Sequence, residues 1–160
     1  MRLRRSSSVG PKPYAGAMDL QRFIDAQDAP ADGVTVYDRA LAELAAGAKR
    51  SHWMWFVFPQ LAGLGSSAMA QRYAIADLDE AVAYLAHPVL GPRLRACVAA
   101  VNGVRGKTAL EIMGRPDDLK LRSSLTLFAQ TTADNADLLA VLERYYGGAP
   151  DPRTMQALGR

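Results

Sequence analysis

Helix-start and helix-stop residues punctuate this chain at short intervals, and no stretch between them alternates apolar and polar residues. Asp19, Thr35, Ser66 or Ser67, Asp77, Thr108, Asp117 and Asp151 stand where a helix would begin. The side-chain oxygens of such residues accept N–H groups that a first helical turn leaves unpaired. Pro30 with Gly33, Gly47, Pro88, Gly114 and Gly147-Gly148 stand at the matching ends, where proline and glycine stop helices. A chain cut this way can form only short helices. The sequence predicts an all-α, single-domain bundle of about eight short helices with an irregular aromatic-rich segment.

The apolar spacing agrees. Leu20, Phe23, Ile24 and Gln27 fall at helical steps over 19–29. Val36, Ala40, Leu41 and Leu44 follow a cap at Thr35. Further helices are predicted after Ser66 or Ser67 through 74, over 78–86 with Ala81, Val82 and Leu85 inward, and over 89–101 with Leu90, Leu94, Cys97 and Val101 on one face. Thr108 and Glu111 form a capping-box pair for a short helix over 108–113. The last three cover 117–128, 137–146 and 153–158, the final one opened by Asp151-Pro152.

Length and composition set the remaining bounds. At 160 residues the chain suits one domain that needs no disulfide or metal to fold. The longest dense apolar run, Trp53 to Pro59, is far short of the ~20 residues a membrane-spanning helix needs. No membrane partner is expected, and the single cysteine excludes a disulfide-stapled secreted domain. Cytoplasmic placement is the expectation. Cys97 reads as a small core residue. Two histidines, one cysteine and no clustered carboxylates argue against a metal site, and no cofactor is expected.

The formal charge of +3 is unevenly placed. Residues 1–17 carry Arg2, Arg4, Arg5 and Lys12 and no acid, which leaves 15 basic and 16 acidic residues in the remainder. The segment 1–17 is expected to be a disordered basic tail, with Met18 as an alternative start, and 18–160 the helical domain. Nucleic-acid binding would rest on that tail alone and is not expected.

The segment Lys49-Arg50-Ser51-His52-Trp53-Met54-Trp55-Phe56-Val57-Phe58-Pro59-Gln60 has no helical period and is expected to be a short strand or an irregular loop. It joins cations, an amide and aromatic faces, which together suit a planar anionic ligand. Lys49, His52, Trp55 and Gln60 are its candidate ligand-binding residues. His52 is also the one candidate general acid or base, since its unperturbed pKa lies near 6.5. The plain structural alternative makes the aromatics core. His87, before Pro88, reads as structural, meeting the last carbonyls of a helix. A second feature lies in 117–128. Lys120, Ser123, Ser124 and Leu127 share one side of that helix, and Leu121, Leu125 and Phe128 another. Lys120, Ser123 and Ser124 could hold a phosphate or carboxylate. No glycine-rich phosphate loop, nucleophile elbow or zinc-protease motif occurs.

These motifs carry a resemblance. The run 49–60, Arg72-Tyr73-Ala74-Ile75, Tyr84-Leu85-x-His87-Pro88-x-Leu90-Gly91-x-Arg93-Leu94, the Asp117-Asp118-x-Lys120-x-Arg122-Ser123-Ser124-x-Thr126-Leu127-Phe128 helix and Tyr145-Tyr146-Gly147-Gly148 resemble a bacterial and fungal domain-of-unknown-function family. Its members are sometimes misnamed calpastatin. The resemblance spans nearly all of 18–158 and implies a mainly helical cytosolic domain without an assigned activity. A fainter likeness is to the NADAR group, helical proteins acting on N-glycosidic bonds in ADP-ribose and riboflavin metabolism. Where that group places an acid and a lysine on its short helix, this chain has Ser67 and Ala74. Lys120 is the charged position the likeness carries over. Two functions are therefore expected as alternatives. One is a domain that binds, and in its stronger form hydrolyses, a nucleotide-like or ADP-ribose-related anion. The other is a non-catalytic protein-interaction domain whose Trp-rich segment is core, its protein partner unnamed.

Overall fold

A computed structural model describes residues 19–160, so the expected tail at 1–17 lies outside the described residues. The ten helices among the described residues begin largely where the capping residues stand. Helix α1 spans Gln21–Asp28, α2 Val36–Ala45, α3 Met54–Val57, α4 Ala68–Arg72 and α5 Leu78–Ala86. Helix α6 spans Leu90–Asn102, α7 Ala109–Met113, α8 Asp117–Ala129, α9 Ala136–Tyr146 and α10 Pro152–Ala157. Thr35 and Thr108 each form a full capping box, with Asp38 and Glu111 respectively. Ser67, Asp77 and Asp151 accept the third residue's N–H of α4, α5 and α10.

Four local expectations change. Asp19 does not cap α1, which starts behind Leu20 without a side-chain cap; its carbonyl instead accepts the Arg22 guanidinium at 2.6 Å. Two short strands, β1 (Pro30–Ala31) and β2 (Val34–Thr35), pair antiparallel before α2. The turn between them is Asp32-Gly33, with φ of 54° and 89°. Two successive left-handed residues make the hairpin turn that Asp-Gly favours. The aromatic segment is neither strand nor simple loop, since Met54–Val57 closes one helical turn. On α5 the inward residues are Glu80, Ala81 and Tyr84, and Val82 is exposed.

Helix α8 is the centre of the bundle. It packs against α5, α7, α9 and α10, and Ser123 through Ala129 are all buried. From Ser123 onward, the two faces expected of it, one polar and one apolar, therefore both face inward. Before Ser123, Leu119 is exposed and Asp117, Lys120 and Arg122 are half-buried. Around it, Tyr84 meets Phe128 at 5.1 Å between ring centroids and Phe23 edge-on at 5.0 Å. Burying each such side chain contributes roughly 1.5–3 kcal/mol. Leu90, Leu94, Cys97 and Val101 form the predicted inner face of α6. Burial pushes the Cys97 thiol up to about 12, against a hydrogen bond with Tyr37 that lowers it, so Cys97 is a core residue. His87 is structural in a different way from that expected. Its Nδ1 accepts the N–H groups of Val89 and Leu90 and so caps the start of α6.

No helix among the described residues is long and apolar enough to cross a membrane. None of them form a cluster of three or more potential metal ligands.

Candidate functional site

Glu43, on α2, organises the chain that leads into the aromatic segment. Its Oε1 accepts the backbone N–H groups of Arg50 and Ser51 and the indole N–H of Trp53. Its Oε2 accepts the Ser51 hydroxyl at 2.6 Å. Burial raises the Glu43 pKa, but the hydrogen bonds from Ser51, Arg50 and Trp53 outweigh it and hold the carboxyl down at about 2. Trp53 is fully buried, with Phe56 and Phe58 beside it in the core. Gln27 donates to the carbonyl of Phe56 at 2.9 Å and fixes α3 from below. With Trp53 inward, the next turn leaves Trp55 half-buried and facing outward.

Lys49 is committed to this scaffold. Its ammonium pairs with Asp117 at 3.0 Å, donates to the Ser51 carbonyl and lies over the Trp53 ring. Its side chain is only 7% exposed. His52 is exposed and has no side-chain hydrogen bond to the described residues. Ser124 is wholly buried, and its hydroxyl has no partner among them. None of these three lines the cleft described next.

That cleft, of about 660 Å³, lies between α8, the loop 60–67 and the turn into α10. The loop is pinned because the Gln60 carbonyl accepts the Ile75 N–H and the Ile75 carbonyl accepts the Ala62 N–H, both at 2.8 Å. The α10 wall is tied to α8 by two residues one turn apart. Arg122 donates to the carbonyls of Ala149 and Pro150, and Thr126 Oγ1 accepts the Asp151 N–H at 2.9 Å. A small recess of about 10 Å³, room for one water molecule, lies under Lys120 beside the cleft and is lined by Trp55, Phe58 and Tyr73. Of the residues singled out from sequence, the structure thus brings together Trp55, Gln60, Lys120 and Ser123.

The lining is cationic. Lys120, Arg122 and Arg153 share the lining with one acid, Asp151, whose Oδ2 accepts the Thr154 N–H and hydroxyl. Arg122 gives its Nε and Nη2 to the carbonyls of Ala149 and Pro150 and keeps its positive charge. Lys120 has no ion pair or hydrogen bond among the described residues, and its ammonium lies 5.9 Å from the Trp55 ring centroid. Arg153 and the Gln60 amide likewise lack partners among the described residues. The site therefore presents three cations against one carboxylate, with an amide, beside an aromatic face, a set that can receive an anion attached to a ring. Arg153 and Asp151 escape sequence reading because they join the site only through the long-range ties to Arg122 and Thr126. The Asp-Pro start signal fixes where α10 begins but not what it faces.

No curated protein is similar to this chain. Among solved structures, it is similar to the conserved hypothetical protein Rv1873 from Mycobacterium tuberculosis. The two share 54% identity with a TM-score of 0.84, over 93% of this chain and 99% of that one. Neither this likeness nor the family match bears a calpastatin or NADAR name. The family model described as protein of unknown function (DUF1810) matches residues 17–158, and the chain belongs to that family.

Proposed function

We propose that the cleft binds an anionic, nucleotide-like small molecule. The single observation that carries this reading is Lys120, a half-buried cation with no partner among the described residues, set between the Trp55 ring and the cleft. A charge held in such a position has lost part of its hydration without gaining a counter-ion. A phosphate or carboxylate would supply one, and the adjacent aromatic face would receive a ring. The NADAR likeness gives Lys120 the same weight and favours an ADP-ribose-related compound. The reading is one of binding rather than turnover, because Asp151 is engaged as a helix cap and His52 stands outside the cleft.

A thermal-shift series with nucleotides, ADP-ribose and sugar phosphates tests this. Wild type is expected to gain melting temperature with at least one of them, and Lys120→Ala to lose most of that gain. Charge-assisted hydrogen bonds contribute roughly 1.5–3 kcal/mol, so affinity should fall by about tenfold or more. No shift with any anion, or an equal shift in the variant, would leave the protein-interaction domain as the better account.

A further inference from the structure

Lys120 has no ion pair among the described residues, and the reason lies one turn earlier on α8. The acid best placed to neutralise it is Asp117, three positions before it, the spacing at which side chains on a helix surface are neighbours. Asp19 and Arg22, in the same order at the same spacing, meet at 4.0 Å, and Arg115 and Asp118 pair at 3.2 Å. Asp118, the other acid of this turn, is buried and belongs to Arg115. Asp117 Oδ2 lies instead 3.0 Å from the Lys49 ammonium.

Lys49 is not free to release that carboxylate. Its side chain is 7% exposed, its ammonium donates to the Ser51 carbonyl at 2.6 Å, and it lies 4.8 Å from the Trp53 ring centroid. Ser51 and Trp53 are themselves fixed by Glu43. The Lys49 N–H donates to the Ile112 carbonyl of α7, the helix before α8, at 2.8 Å. A buried ammonium without its carboxylate would be an uncompensated charge, so burial itself holds Asp117 to Lys49.

We infer that Lys49 is a positioning residue of the cleft: by holding Asp117 it keeps that carboxylate off Lys120 and leaves the Lys120 charge for an anion. This inference rests on the proposed function above and deepens it by naming what keeps the site open to negative charge. It also changes the part expected of Lys49, from a group that touches ligand to one that acts through Asp117.

Two measurements test it, one of them without ligand. The first is a calorimetric nucleotide titration with ADP-ribose as the probe. Lys49→Met should weaken binding by about fivefold, because the released carboxylate pairs with Lys120 and repels the incoming anion. The loss should shrink in high salt, as charge effects do. Asp117→Asn should bind at least as tightly as wild type, and Lys49→Met/Asp117→Asn should return to within about twofold of it. A merely structural tie would instead weaken binding in all three. The second measurement compares melting temperatures. Lys120→Ala should lower the melting temperature by about 1–2 °C more in the Lys49→Met protein than in wild type, since only there does Lys120 have a carboxylate to lose. Asp117→Asn binding as weakly as Lys49→Met, a double variant no better than Lys49→Met alone, or an equal effect of Lys120→Ala in both backgrounds would overturn the inference. Failure of wild type to bind the probe would count against the proposed function and leave the thermal comparison to decide the role of Lys49.

Discussion

The indole N–H of Trp53 donates to Glu43 Oε1 at 2.8 Å, so one carboxylate on α2 fixes both the buried tryptophan and the chain leading to it. That carboxylate is charged in the folded state down to about pH 2, against an ordinary value of 4.5. A depressed folded pKa contributes stability that is fully present above the unfolded pKa and lost as pH falls through the folded one. Between pH 5 and 2, wild type should therefore lose stability more steeply than Glu43→Gln. Because Glu43 keeps some contact with solvent, the difference should be about 1–2 kcal/mol rather than the full value of the shift. Urea denaturation at stepped pH measures it, and parallel curves for the two proteins would contradict this role.

The two tryptophans should separate cleanly. Trp53→Ala empties a fully buried site and removes one of four hydrogen bonds to the Glu43 carboxylate, so it should cost roughly 3–5 kcal/mol. Trp55→Ala removes a half-buried ring at the mouth of the recess and should cost under about 1.5 kcal/mol, while reducing nucleotide binding. Denaturation midpoints and the nucleotide titration read the two effects independently.

Ser124 should be improved by shortening. Its hydroxyl is buried in α8 without a hydrogen-bond partner among the described residues, and such a group carries a desolvation penalty of roughly 1–3 kcal/mol. Alanine removes the oxygen and is the better helix former. Ser124→Ala is expected to be neutral to stabilising by about 1 kcal/mol. A loss of more than about 1 kcal/mol would mean the hydroxyl has a partner that the described residues do not supply.

Gly91 faces the end of the preceding helix. A methyl group there would collide with the Leu85 carbonyl oxygen, which is backbone and has little room to yield. Gly91→Ala should therefore destabilise by roughly 1–3 kcal/mol, as overpacked sites do, despite alanine's better helix propensity. Gly103, at the other end of α6, is the control, because a methyl there meets only ordinary contact distances.

The capping residues made most of the fold legible from sequence, because a cap is a local interaction between residues two or three apart. Thr35, Ser67, Asp77, Thr108 and Asp151 all act as the sequence predicts. The Asp32-Gly33 hairpin was equally local, and its turn signal was there to be read. The site was only half legible. Lys49 sits among the residues whose types suit a ligand, yet Asp117, 68 positions later, claims its charge. The serines of α8 look like an open polar face until four other helices close around them. Arg153 had no local signal at all, since its place follows from Thr126 reaching the Asp151 backbone.

The cleft draws Gln60, Lys120 and Arg153 from three well-separated stretches of chain. None of these residues meets the others unless the whole bundle is assembled, so occupancy and folding are thermodynamically linked. A ligand present at a hundred times its dissociation constant would add about 2.7 kcal/mol to global stability. A fragment ending before Asp151 would keep the Trp-rich half of the binding surface but lack the wall that carries Arg153. Because the Asp151 N–H that Thr126 holds would be gone as well, such a fragment is expected to lose melting temperature and any ligand-dependent shift together.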